Sequence, residues 1–205
     1  MNHQEQEIEA KFYITDLPGL VHRIEAAGGK IVQPRVFETN LRFDTPELSL
    51  SREHRVLRLR RDEIARLTYK GAAQADQTVA VRQEIEFEVS NFDAAQHFLE
   101  ALGYQVSMVY EKYRTTYSVA QVEVMLDEMP FGNFAEIEAG SPQLIEAAAS
   151  VLGLRWPARC AASYLELFAR LKTHRSLDFK YLTFETFSGK TFTPADMDLQ
   201  PADII

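Results

Sequence analysis

The sequence is short of cysteine, of positive charge and of repeated or low-complexity segments, and each shortage excludes a class of protein. Cys160 is the single cysteine among 205 residues, so no intramolecular disulfide can form and a disulfide-stapled secreted scaffold is excluded. It lies between Arg159 and Ala161 with no histidine near it in sequence, which points to a packing role rather than a nucleophile. The N-terminal MNHQEQEIEA has no apolar stretch resembling a signal peptide or a membrane span, so no membrane partner is expected and the cytoplasm is the expected compartment. Lys and Arg number 22 against 30 Asp and Glu, a formal net charge of −8. A duplex nucleic-acid binder needs a basic face to displace counterions from phosphates, so that class is excluded and any phosphate site must be local. The absence of repeats removes solenoid architectures.

What the chain does have is a hydrophobic fraction of 46%, enough for one domain with a sizeable core. Gln6 to Ile14 alternates strictly, with Ile8, Ala10 and Phe12 on one face and Glu7, Glu9 and Lys11 on the other, the period of a strand. A helix is expected from Asp16 as N-cap to Gly28–Gly29 as stop. Strands are expected at Val32 to Phe43, Arg55 to Arg61, Leu67 to Gly71 and Val79 to Val89. After a helix capped by Asn91 or Asp93 and ended at Gly103, strand character returns at Tyr104 to Tyr110, Tyr113 to Val119, Val122 to Met129 and Phe134 to Ala139. Helices follow at Pro142 to Leu152 and Ala161 to Lys172. The alternating LTFETFSGKTFTP around Ser188-Gly189 reads as a hairpin. The pattern is α+β, an antiparallel sheet with a few helices. Residues 1–172 form the main unit, and 173–205 an extension packed on the outside of the same domain.

The charges on these strands come in like pairs two residues apart: Glu7 and Glu9, Arg58 and Arg60, Glu84 and Glu86, Glu136 and Glu138. Such pairs share a face about 7 Å apart and repel by roughly 2 kcal/mol at an effective dielectric near 20. For one strand alone, a solvated sheet face accounts for this. The pattern recurs, however: Lys70, Arg82, Lys112, Arg114, Glu123 and Asp127 all fall on faces opposite apolar positions. If the sheet closes, these ionic faces line its lumen, where opposite charges must be paired or bound ions must satisfy them. Carboxylate clusters suit Mg²⁺ or Mn²⁺ and Arg and Lys suit phosphate oxygens, so a metal-bound polyphosphate meets both demands.

Glu7-Ile8-Glu9-Ala10-Lys11 matches the ExExK signature, and FDTPELSL, LRLR, YKG, RQEIEFE, EKYRTTY, LDEMPFGNFAEIE and SYLELF follow in order between Phe43 and Phe168. Together these segments resemble the CYTH family, the triphosphate tunnel metalloenzymes, whose members include class IV adenylate cyclases, thiamine triphosphatases and inorganic triphosphatases. The resemblance implies a closed eight-stranded antiparallel β-barrel, a tunnel flanked by helices. It implies that Lys11, Arg58, Arg60, Lys70, Lys112 and Arg114 bind the triphosphate, with Arg82 holding a phosphate or fixing nearby glutamates. Glu7, Glu9, Glu136 and Glu138 are the implied metal ligands, with Asp127 a further candidate; Glu84 and Glu86 bind metal or position water. Lys11, Arg58, Arg60, Glu84 and Glu86 are the expected catalytic set. The expected reaction is hydrolysis of a triphosphate, tripolyphosphate first. A cyclase is the alternative, although the His-Phe pair that precedes the first glutamate in class IV cyclases is replaced here by Met1 and Asn2, with His3 out of register. A non-catalytic polyphosphate- or nucleotide-binding module is the other alternative.

Overall fold

The computed structural model describes residues 5–72 and 80–203, with side chains described from residue 8 and, after the gap, from residue 83. The strands are β1 (Glu5–Ile14), β2 (Lys30–Asp44), β3 (Val56–Arg61), β4 (Ala65–Lys70), β5 (Ala80–Val89), β6 (Gln105–Val119), β7 (Val122–Met129), β8 (Gly132–Glu138) and the two-residue β9 (Arg159–Cys160). The helices are α1 (Leu17–Ala26), α2 (Ser49–Arg52), α3 (Phe92–Ala101), α4 (Pro142–Val151) and α5 (Tyr164–Arg175). None of the described helices is long and apolar enough to cross a membrane.

All strands belong to one antiparallel sheet in the order β5-β4-β3-β2-β6-β7-β8-β1-β9. Along one edge β1 pairs with β8; along the other it pairs with β5 through Glu5 to Glu9 and with β9 through Lys11 and Phe12. Among the described residues the sheet therefore meets itself over only the first half of β1, and past Glu9 that edge is taken by β9. The expected closed eight-stranded barrel is corrected in two respects. Nine strands are present, and hydrogen bonds do not seal the sheet along its height, because β9 occupies the edge that β5 would need.

Strand alternation decides what is buried. Ala10, Phe12 and Ile14 of β1 join Val124, Leu126, Ala135 and Ile137 in a core roofed by Leu20 and Ile24 of α1 and Ile145 and Ala149 of α4. Burying each of these helix side chains contributes roughly 1.5–3 kcal/mol for the larger ones, and Asp16 starts α1 by accepting a hydrogen bond from the Gly19 amide. Leu41, Phe43 and Leu59 pack under Leu99 of α3. The third core joins Tyr13, Phe134 and Phe131 to Leu167, Phe168 and Leu171 of α5 and to Leu182, Phe187 and Met197 beyond it.

Three expectations change in detail. The two runs expected at Tyr104 to Tyr110 and Tyr113 to Val119 are one strand, β6. The helix expected from Ala161 begins at Tyr164, because Ser163 and Glu166 form a reciprocal capping box there. The hairpin at Ser188-Gly189 is absent. That segment instead runs as turns to a short 3₁₀ stretch at Pro194–Met197, since Phe187 and Met197 are drawn into the α5 core.

Candidate functional site

The face of the sheet opposite the α1 and α4 core is ionic. The register sets Glu9, Glu138 and Glu123 side by side on β1, β8 and β7. The next file inward is Lys11, Glu136 and Met125. Lys112 lies opposite Glu38, and Arg114 opposite Asp127. Across the sheet, Asn40 faces Arg60 and Arg42 faces Arg58, while Lys70 faces Glu84 and Thr68 faces Glu86. Most of these side chains line one cavity of about 1080 Å³, among them Glu9, Lys11, Arg58, Arg60, Lys70, Glu84, Glu86, Lys112, Arg114, Glu123, Glu136 and Glu138. Glu7 and Arg82 are register partners on β1 and β5; their side chains lie outside the described residues.

Most cations of the cavity have a carboxylate beside them. Asp127, 0% exposed, accepts hydrogen bonds from Lys112 Nζ at 2.9 Å, from Arg114 Nε at 2.6 Å and from the Tyr164 hydroxyl at 2.8 Å. Both of its oxygens accept hydrogen bonds, so Asp127, expected as a further candidate metal ligand, is placed between Lys112 and Arg114 and holds both in position. Glu136 is paired with Lys11 at 3.1 Å and with Arg114. Burial raises the Glu136 carboxyl, but Lys11, Arg114 and Lys112 outweigh it and hold the group well below the usual range. Burial pulls the Lys11 ammonium down, yet Glu136 and Glu9 hold it above its ordinary value.

The arginine side of the cavity is arranged likewise. Arg60 donates to Glu86 at 3.1 Å and Arg58 donates to Thr68 at 3.2 Å and to the Tyr110 hydroxyl at 3.4 Å. Burial and the neighbouring Arg58 push the Arg60 guanidinium below its ordinary value. The Nε atoms of both arginines are buried without a hydrogen-bond partner, and Arg60 Nε lies 3.9 Å from Asp62 Oδ2. Glu86 accepts from Thr68 at 2.6 Å, and Lys70 pairs with Glu84 at 3.1 Å.

Glu38, Tyr110 and Tyr164 complete the site and escape the sequence reading. Glu38 is 1% exposed and lies 3.6 Å from Lys112 and 3.9 Å from Arg60. Burial would raise its carboxyl, but Lys112, Arg114, Arg60 and Arg58 bring it down to about 2. The available signal was the polar file Glu38, Asn40, Arg42 at strand spacing. For Tyr164 it was the Ser163/Glu166 capping box, which sets this residue at the first helical position.

The donor set can be tested against a divalent cation. Glu9, Glu138 and Glu123 supply hard oxygen ligands from three adjacent strands, with cross-strand Cβ separations of about 5 Å. Like charges in such a file destabilise the sheet unless a cation offsets them, so the class of donor fits. Among the described residues, however, no group of three or more His, Cys, Asp or Glu side chains is drawn together closely enough to hold a metal ion.

The CYTH domain model matches residues 5–150, which takes in every strand of this cavity except β9. The chain belongs to the CYTH family. Among CYTH relatives, a protein of Aeromonas hydrophila named adenylate cyclase CyaB is 28% identical over 134 residues, 64% of this chain and 67% of that one. A solved structure from Vibrio parahaemolyticus, described as a candidate adenylate cyclase, is 23% identical with a TM-score of 0.72, covering 82% of this chain and 99% of its own. A Hippeastrum protein, HpAC1, described as a candidate adenylyl cyclase with a dominant triphosphatase activity, is 19% identical with a TM-score of 0.59, covering 80% and 95%. At these identities the two structures show a shared fold.

Proposed function

We propose that this CYTH protein is a divalent-metal-dependent triphosphatase that hydrolyses a phosphoanhydride of tripolyphosphate or of an organic triphosphate. The observation that carries the reading is the gathering of Lys11, Arg58, Arg60, Lys70, Lys112 and Arg114 around one cavity with a carboxylate file on β1, β8 and β7. The lysines and arginines match the charge of a triphosphate, and the carboxylates among them would offer oxygen ligands to Mg²⁺ or Mn²⁺.

In this reading Glu9 and Glu138, with Glu123, Glu136 and Glu7, hold the metal. Bound there, the ion supplies Lewis-acid polarisation of phosphate oxygens. Arg58, Arg60, Lys112 and Arg114 grip the phosphates and neutralise charge on the transferring group, while Lys11 and Lys70 flank the chain. Arrival of the triphosphate exchanges carboxylate partners for phosphate oxygens: Glu86 releases Arg60 and Glu84 releases Lys70, leaving those two carboxylates to orient the attacking water. Water attacks phosphorus in line, and the bridging oxygen leaves with its charge balanced by the cations. No covalent intermediate on the protein is required.

The same clamp serves a second reaction, in which the ribose 3′-hydroxyl of ATP attacks the α-phosphorus and pyrophosphate leaves. The Aeromonas relative favours it; the absence of the His-Phe pair ahead of Glu7 disfavours it. The deciding assay measures phosphate, pyrophosphate and cyclic AMP released from tripolyphosphate, ATP and thiamine triphosphate with Mg²⁺, with Mn²⁺ and with chelator. Metal-dependent phosphate release is expected, abolished by chelator and lowered by about 10²-fold or more in Arg58→Ala and Arg60→Ala. Cyclic AMP as the main product would replace this reading with the cyclase, and binding without any turnover would leave a binding module.

A further inference from the structure

Tyr164 touches three charged groups of the cavity at once, although it lies outside the segment matched by the family model. Its hydroxyl donates to Asp127 Oδ2 at 2.8 Å, and its ring lies 4.5 Å from Lys11 Nζ and 5.7 Å from Lys112 Nζ. Asp127 in turn orients Lys112 and Arg114. Burial, reinforced by Asp127 and Glu136, raises the Tyr164 phenol well above its ordinary value, so its proton stays on the oxygen and the donor role is constant.

The helix that presents this side chain is fixed from both ends. Ser163 accepts from the Glu166 amide while the Glu166 carboxylate accepts from the Ser163 amide at 2.6 Å, which pins the first turn. Farther on, Leu167, Phe168 and Leu171 pack with Leu182, Phe187 and Met197, and Arg170 and Arg175 reach the Met197 carbonyl and Asp196. The segment after α5 is itself tied to the sheet, through Leu182 and the backbone of Val109 and Glu111 and through Ala202 and the Tyr13 carbonyl. Tyr164 is therefore placed by a buttress of residues 165–203 and has little freedom to leave Asp127.

We propose that Tyr164 is a positioning residue for the triphosphate clamp: its hydroxyl, acting through Asp127, sets the direction of Lys112 and Arg114, and its ring backs Lys11 and Lys112. Arg114 grips both oxygens of Asp127, while Lys112 and the Tyr164 hydroxyl share Oδ2. The Tyr164 bond holds that shared oxygen where Lys112 meets it, and so the two cations meet phosphate oxygens without prior rearrangement.

The inference rests on the proposed triphosphate site, and the test separates the two. Tripolyphosphate binding is measured by calorimetry with Mg²⁺ on the wild type, Tyr164→Phe and Tyr164→Ala, beside melting temperature and, for hydrolysis, KM and kcat. Wild-type protein that binds no tripolyphosphate would overturn the site reading itself. Given wild-type binding, Tyr164→Phe, which keeps the ring, is expected to melt within a few degrees of wild type. Its Kd and KM should rise about tenfold, equivalent to about 1.4 kcal/mol, and more in Tyr164→Ala. A Tyr164→Phe protein with wild-type Kd and KM, whether or not its melting temperature falls, would overturn the positioning role and leave Tyr164 as packing.

Discussion

Glu38 sits in an environment that its type ordinarily avoids. A carboxylate with 1% exposure survives there because four cations surround it, and its pKa of about 2 measures their net effect after burial. The folded value lies below the unfolded value of about 4.3, so the stabilisation is fully present above that unfolded value. It is lost as pH falls through about 4 toward 2, and Glu136, also held down, loses its contribution in the same direction. Glu38→Gln removes a counter-charge from among Arg58, Arg60, Lys112 and Arg114, and breaking a buried set of this kind costs about 3 kcal/mol. The variant should melt lower at pH 7 in a calorimetric scan, with a flatter loss of stability below pH 4, and saturating tripolyphosphate should raise its melting temperature more than it raises that of wild type. A variant as stable as wild type at pH 7 would show that the cations need no internal counter-charge. Glu38 was hard to see in the sequence because Pro34 interrupts β2: the register against β6 shifts between Gln33 and Val36, where a residue without an amide hydrogen cannot join the ladder. Lys11, Arg58, Arg60, Glu9, Glu84, Glu86, Glu136 and Glu138 were legible as cavity-facing because they sit in unbroken alternations, where period two alone assigns the face.

Alternation also explains which elements could be read. The β7–β8 hairpin is readable from the turn residues Pro130, Gly132 and Asn133, although Gly132 and Asn133 already belong to β8, and the strand ends observed differ from the expected ones by a residue or two. The segment 182–194 alternates as well, yet forms no hairpin: Phe184 packs on Phe37 and Tyr113 of the sheet, while Phe187 packs on Phe131, Phe168 and Phe192. Alternation reports that one side of a chain is apolar; it does not report what covers that side. The partial closure at β1 was equally hidden, since nothing local in Arg159-Cys160 marks it as a sheet partner. The hairpin supplies a prediction at this scale. Gly132 has φ +147, and a Cβ there would stand 2.7 Å from the Tyr13 ring. Gly132→Ala must therefore both strain the turn and push Tyr13 out of its edge contact with Phe134 at 5.3 Å. A loss of about 2 kcal/mol or more in denaturant unfolding is expected, and an unchanged midpoint would mean that the turn and ring relax together at no cost.

At the scale of the molecule, a chain of net charge −8 carries a cavity in which lysines and arginines are interleaved with carboxylates, Asp127, Glu136, Glu38 and Glu86 among them. The interleaving is maintained by elements far apart in sequence, and the last described residues join the first strand. Asp203 accepts hydrogen bonds from the Thr15 amide at 2.9 Å, the Thr15 hydroxyl at 2.9 Å and the Asp16 amide at 2.6 Å, just where β1 ends and α1 begins. Those bonds and the accompanying backbone pairing of Ala202 with Tyr13 hold the C-terminal segment against the sheet, and with it α5. Asp203→Ala removes a carboxylate that acts as a cap acceptor, worth roughly 1 kcal/mol, or a fall in melting temperature of about 2–4 °C for a chain of this size. Limited proteolysis should then clip the segment after α5 sooner than in wild type while the sheet stays intact, and Asp203→Asn, which keeps one acceptor oxygen, should fall between the two. Equal protease resistance in all three proteins would assign the attachment to Leu182, Phe187 and Met197 alone, with the chain ends contributing nothing to holding α5 over the cavity.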